Sequence, residues 1–280
     1  YSPARKEANV APFRAHPRYT LYRADFRDRE IVRDIFRRHH PDVVAHIGAM
    51  ASVRYSVQRP HLYTEVNVLG TVNLLEEARQ NGVQNFVFAS TSSVYGQTDK
   101  IPFVETDPTD HPLAPYPATK KAGEVLGHAY HNMHGLNFTA LRFFNVYGPK
   151  GRPDMMPYIV LDRLVHDREI ILFDNGDMRR DWTYIDDIIR GVVAALDRPL
   201  GYEIINLGRG EPVLMNDFIA MAEELVGKKA IIKGVPAPPS EPKITFACVD
   251  KAAALFGYRP QTSIGEGLRN LWDWYRREVA

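Results

Sequence analysis

Short apolar runs alternate with stretches of helical periodicity along most of this 280-residue chain, and that rhythm constrains its fold more than any other feature. Residues 42–49 (DVVAHIGA), 85–91 (NFVFAST) and 138–144 each form a run of strand length; the first reads as a strand buried on both sides. A β-like run also covers 19–24. Between and after them, helices are expected at 28–39, about 61–81 and about 116–134. In the first of these Ile31, Val32, Ile35 and Phe36 share one face. Strands that alternate with helices require right-handed crossovers, hence an α/β fold with a parallel, doubly wound sheet. The rhythm loosens after Phe144, then returns with a helix at 186–197 and a strand at 203–207. Residues 1–20 read as irregular, and the remainder as mostly helical with a proline-rich loop at 236–242. Two lobes follow: a cofactor lobe of 1–145 plus 181–207, and a smaller, mostly helical lobe of 146–180 plus 208–280. Ligands of such sheets bind at the carboxyl ends of the strands.

Composition narrows the partners. The formal net charge is +1 and no dense Lys/Arg block occurs, so neither nucleic acid nor an anionic membrane is expected as a partner. No apolar run is long enough for a transmembrane helix. The single cysteine, Cys248, excludes an internal disulfide and a cysteine-based metal cluster, and with no signal peptide in view it suits a reducing cytoplasm. His39, His40, His128, His131 and His134 form no ligand set with a carboxylate, so no metal is expected. The chain opens on Tyr1 without an initiator Met, which suggests a preceding segment that is missing or was removed.

Chemistry concentrates at two of the predicted strand ends. Tyr116 and Lys120 (YPATK) stand four residues apart at a helix start, and i and i+4 share a face. A phenol is a poor base at neutral pH, and a neighbouring ammonium can favour its phenolate. The same five residues also fit an amphipathic helix with a surface lysine. Thr91, Ser92 and Ser93 follow the strand 85–91 and could bridge Tyr116 to a substrate hydroxyl, or simply form a Ser/Thr turn. No G-x-S-x-G elbow supports a hydrolase.

Taken together the motifs resemble the extended short-chain dehydrogenases, and among them the nucleotide-sugar epimerases. The resemblance runs through YRADFRD (22–28), HIGAMASVRYS (46–56), NVLGT (67–71), FASTSSVYG (88–96), YPATK (116–120), LRFFNVYGP (141–149), GRPDM (151–155) and RDWTYIDD (180–187). It implies a Rossmann-type sheet, bound NAD and a UDP-sugar substrate. It implies Tyr116 as catalytic base, Lys120 on the nicotinamide ribose and Thr91 as hydroxyl partner. Asp25 and Phe26 would line the adenine, with Ala49 and Asn67 near the cofactor. It also implies a homodimer through the helices at about 61–81 and 116–134.

The resemblance carries a choice of reaction. Similar dehydratases and decarboxylases place acids where this chain has Ser92 and Ser93, so epimerisation at carbon 4 is favoured. Arg54 and Arg152 resemble the pattern of UDP-glucuronate 4-epimerases more than that of UDP-glucose 4-epimerases. A uronate carboxylate suits guanidinium and hydroxyl donors, which Arg152, Ser92, Ser93 and Asn145 would supply. Each arginine could instead pair with a surface acid. Arg180 would contact the diphosphate, with Ile171 and Phe173 beside the uracil or merely packed. Two departures stand out. No G-x-x-G-x-x-G occurs, so about one βαβ unit is expected to be missing upstream. Pro239-Ser240-Glu241-Pro242 replaces the usual Pro-Gly-Asp-Val, and Cys248 replaces a frequent Asp. Epimerisation of UDP-glucose or another nucleotide sugar, dehydration, and a non-catalytic sugar-nucleotide sensor are the alternatives.

Overall fold

Four parallel strands form the main sheet, in the order Val43–His46, Asn85–Thr91, Phe138–Phe143, Tyr202–Leu207. The computed structural model describes residues 1–279. Successive side chains of a strand point to opposite faces. Phe86 and Phe88 therefore join Phe138 in a core on one side of the sheet, while Val87, Leu141, Ile205 and Leu207 build the core on the other. The strand Asn85–Thr91 is buried along its whole length, as its place between two neighbouring strands requires.

Helix boundaries follow local chemistry. Asp28 caps the helix Arg29–His39 by accepting from the main-chain N–H of Glu30 and Ile31, and Val32 and Phe36 are its buried residues. Pro115 occupies the first turn of the helix Pro115–His134, where its missing N–H costs nothing, and Gly135 closes it in the left-handed conformation. Gly123 and Gly127 let this helix lie close on the sheet. A Cβ at either would come within 2.4 Å of the Phe88 or Phe138 ring.

Several expectations change. The run 19–24 forms no strand, because no neighbouring strand lies beside it to share its backbone hydrogen bonds. Residues 1–20 are less irregular than expected: Pro3–Val10 is a helix. The strand predicted as doubly buried, Val43–His46, is the edge of the sheet, paired on one side only, and Val43 is 40% exposed. The helix expected at about 61–81 is interrupted by a wider, π-type turn at Glu65–Leu69 before it resumes at Gly70–Gln80.

A third core gathers Trp182, Phe218, Leu268, Leu271 and Tyr275. Around it lie the helices Met156–Val165, Met215–Val226 and Ile264–Glu278. This part is less purely helical than expected, since Glu169–Phe173 pairs with Ile231–Val235, and Arg179–Arg180 with Val213–Leu214. Among the described residues no helix is long and apolar enough to cross a membrane.

Candidate active site

A cleft of about 1200 Å³ opens at the carboxyl ends of Asn85–Thr91 and Phe138–Phe143. Thr91, Ser92, Ser93, Tyr116 and Lys120 line one part of its wall, and Asn145, Arg152, Ile171, Phe173 and Arg180 another, with Ala49 and Arg54 also contributing. Residues from separate parts of the sequence thus meet at the strand ends, as the topology requires.

Tyr116 is 9% exposed and sits edge-on to the buried Tyr63 ring, 6.2 Å away. Tyr63 is itself fixed by donating to the Ser52 carbonyl at 2.6 Å and accepting from the Ser52 N–H. Burial raises the pKa of Tyr116; the Thr91 hydroxyl and, more weakly, the Arg152 charge oppose that rise. Lys120 is not among the groups that lower it. The expectation that the ammonium itself makes the phenol acidic is therefore not met in the free protein, where desolvation dominates and leaves the phenol protonated at neutral pH.

Lys120 is 2% exposed, with Nζ 4.1 Å from the centroid of the Phe88 ring. Among the described residues Nζ has no hydrogen-bond partner and no carboxylate within ion-pair distance. Burial pulls its pKa down to about 7, against a smaller upward pull from Glu124. A buried ammonium without a partner on the wall of a cleft is costly unless a ligand completes it. The hydroxyls of a ribose would do so, and in this respect the residues fit a nicotinamide nucleotide.

A second, more open cavity of about 580 Å³ is lined by Tyr22, Arg23, Ala24, Asp25, Phe26, Arg27, Ala49, Met50, Leu62 and Val66. It brings Asp25 and Phe26 together with Ala49, which lines both cavities. Arg27 holds the Asp25 carboxylate at 2.7 Å and thereby lowers its pKa. Asn67 lies on neither wall. It is buried, accepting from Met50 N–H at 2.8 Å and donating to the Met50 carbonyl and Thr119 Oγ1. It shapes the loop beside the cavity.

The arginines are engaged by acids, as the alternative reading allowed. Arg152 forms a two-pronged pair with Asp154 at 3.0 and 2.7 Å, both side chains on the cleft wall. Arg54 lies over the Phe173 ring, 5.0 Å from its centroid, with Nε 3.4 Å from Glu241. The other Glu241 oxygen is 3.2 Å from Nη2 of the buried Arg180. One carboxylate of the proline-rich loop therefore bridges two guanidinium groups on the cleft wall. Ile171 is 57% exposed, so it is available to a ligand and is not core packing.

Other contributors escape sequence reading. Glu124, fully buried one turn after Lys120, accepts from Arg142 Nε and Nη2 at 2.9 Å and from Ser90 Oγ at 2.6 Å. Asp181 accepts from the main-chain N–H of Arg209, Gly210 and Ala247, tying three segments together. An acid four residues after Lys120 was a visible signal for Glu124; nothing in the sequence marked Asp181 for this task. Among the described residues no group of three or more His, Cys, Asp or Glu is placed to hold a metal ion.

Known proteins share this fold. Among curated relatives, the UDP-glucuronate 4-epimerase of Thermodesulfobacterium geofontis is 41% identical over 263 residues, covering 93% of this chain and 80% of the relative. The crystal structure of UDP-glucuronic acid 4-epimerase from Bacillus cereus, in complex with UDP-glucuronic acid and NAD, superposes with a TM-score of 0.92 at 34% identity. The match covers 98% of this chain and 87% of that one. A UDP-glucose 4-epimerase from Thermotoga maritima, with UDP-glucose, gives a TM-score of 0.88 at 30% identity, over 92% and 85% of the two chains. The model of the NAD dependent epimerase/dehydratase family matches residues 2–208, which include every element that carries Thr91, Tyr116, Lys120 and Asn145. By its sheet, its cleft and that match, the chain belongs to the NAD dependent epimerase/dehydratase family.

Proposed function

We propose that this chain epimerises carbon 4 of UDP-glucuronate, giving UDP-galacturonate through a 4-keto sugar. The observation that carries the reading is the pairing, on one cleft wall, of the buried Tyr116 phenol with the partnerless Lys120 ammonium. Tyr116 exchanges the proton of the carbon-4 hydroxyl, and Thr91 holds that hydroxyl in line. Bound NAD would supply the redox chemistry at carbon 4, an acceptor for its hydride and, once the keto sugar has turned over, the donor that restores it on the other face. Lys120 anchors the cofactor's ribose and brings positive charge toward the phenol, offsetting the burial that otherwise keeps it protonated. Asp25, Phe26 and Ala49 border the rest of the cofactor.

Ser92, Ser93, Asn145 and Arg152 are assigned to the uronate end, Arg54 and Arg180 to the diphosphate, and Ile171 and Phe173 to the uracil. Ser92 and Ser93 offer no acid, which disfavours dehydration. Holding the carboxylate away from the orientation that would expel carbon dioxide protects the 4-keto uronate, a β-keto acid. The division into a cofactor lobe (1–145, 181–207) and a sugar lobe (146–180, 208–280) fits this assignment. We further propose a homodimer working in a reducing cytoplasm, which the lone Cys248 suits.

Incubation with NAD and each UDP-sugar, followed by chromatography, tests the reading. UDP-galacturonate is expected from UDP-glucuronate, and Tyr116→Phe is expected to slow turnover by roughly 10²–10⁴-fold with substrate still bound. Conversion of UDP-glucose alone would replace the substrate assignment. Undiminished turnover by Tyr116→Phe would remove the catalytic one, and binding without any turnover would favour a sensor.

A further inference from the structure

Thr245 is 6% exposed and lies on the cleft wall next to Asn145. Its Oγ1 accepts from the main-chain N–H of Asp181 at 3.1 Å and donates to Asn145 Oδ1 at 2.9 Å. The ring is closed by the main-chain N–H of Asn145, which donates to the Asp181 carbonyl at 3.0 Å. Main-chain N–H of Thr245 donates in turn to the Arg179 carbonyl at 3.1 Å, so the threonine backbone is held as firmly as its side chain.

The direction of this chain of hydrogen bonds is fixed by chemistry. A main-chain N–H can only donate, so one lone pair of the Thr245 hydroxyl is committed to Asp181. The hydroxyl has a single proton, and among the described residues the one acceptor placed for it is Asn145 Oδ1. Turning the amide over would put Nδ2 against the hydroxyl and leave its O–H without an acceptor among the described residues. The oxygen of Asn145 therefore faces Thr245 and its NH₂ faces the cleft, where it has no partner among the described residues. An asparagine is ambivalent by itself; here it is made a donor.

We propose that Thr245 is a positioning residue that sets the polarity of Asn145, so that this part of the cleft selects an oxyanion of the substrate. The proposal deepens the nucleotide-sugar reading of the cleft and rests on it. The ligand chemistry is an acceptor oxygen bearing negative charge, either a sugar carboxylate or a diphosphate oxygen. Without the hydroxyl, Asn145 is free to present its own oxygen, which repels the same group.

The test compares Thr245→Val, which keeps the shape and removes the hydroxyl, with Thr245→Ser, which keeps the hydroxyl. Calorimetric affinities of the NAD-loaded protein for UDP, UDP-glucose and UDP-glucuronate are measured, with kcat and KM for the sugar that turns over. Thr245→Val is expected to weaken binding by about tenfold or more and to raise KM with much less change in kcat. Thr245→Ser is expected to recover most of that loss. A loss confined to UDP-glucuronate assigns the amide to the carboxylate; a loss shared by all three assigns it to the diphosphate. Equal affinities for Thr245→Val and the parent, or an equal loss in Thr245→Ser, would overturn the proposal. Should Thr245→Val not fold, Thr245→Ala carries the same comparison. Failure of the parent to bind any of the three ligands would defeat the reading of the cleft itself, and this proposal with it.

Discussion

Lys120 shows what a buried charge costs the folded chain. Its ammonium is buried against the face of Phe88, and its pKa falls from 10.5 to about 7. Between those values the unfolded chain binds a proton at this residue and the native chain does not, so stability rises with pH across that window. Below pH 7 both forms hold the proton and the native state bears the whole cost of burying it. Lys120→Met should therefore raise the melting temperature of the free protein. The gain should be largest at and below pH 7 and fade as pH approaches 10.5. Thermal melts of both proteins from pH 6 to 10 would check this, and a gain independent of pH would assign the effect to packing instead. Activity should be lost in the same variant, the usual conflict between a stable site and a working one. The Tyr116–Lys120 spacing was legible in the sequence because i and i+4 share a helix face. The phenol's raised pKa was not, since desolvation depends on what the fold packs over the ring.

The helix Pro115–His134 carries this pair, and its seating on the sheet is specified at several points. Gly123 and Gly127 bring its axis against Phe88 and Phe138, and the buried Glu124–Arg142 pair bolts it to the strand Phe138–Phe143. Removing one member of such a pair leaves an uncompensated buried charge. Arg142→Met is expected to destabilise by about 3–5 kcal/mol in urea denaturation, whereas Glu124→Leu combined with Arg142→Met should recover at least half of that. A double variant no more stable than Arg142→Met would show that the pair does more than neutralise itself. Strands whose partners are present were legible: 85–91 and 138–144 read as strands, and Asn85–Thr91 and Phe138–Phe143 form them. The run 19–24 has the same kind of pattern and no neighbour to pair with, and the edge position of Val43–His46 depends on strand order, which residue pattern does not encode. The break at 65–69 was equally invisible, because a π-type turn preserves the apolar spacing on either side.

At the scale of the whole molecule, some of the exposed apolar side chains fall on the two helices expected to pair. Leu69 is 57% exposed, Val125 57% and Met133 69%, on or beside Gly70–Gln80 and Pro115–His134. Apolar groups so placed support an isologous two-fold contact. Light scattering on eluting protein is expected to give about 64 kDa, twice the 31.8 kDa chain, and Leu69→Glu with Val125→Glu should halve it. A parent that elutes as a monomer at every concentration would end the proposal. The candidate site was legible to the extent that its residues sit in local motifs. The Glu241 bridge and the Thr245–Asn145 ring join segments up to a hundred or more positions apart, and only the folded chain brings them together. Asn67 has a similar reach: the one amide grips Met50 beside the open cavity and Thr119 on the helix of the phenol. Those two regions are consequently tied to each other through a single side chain. The open cavity and the cleft wall at Tyr116 therefore share one anchor, and a substitution at Asn67 removes it from both.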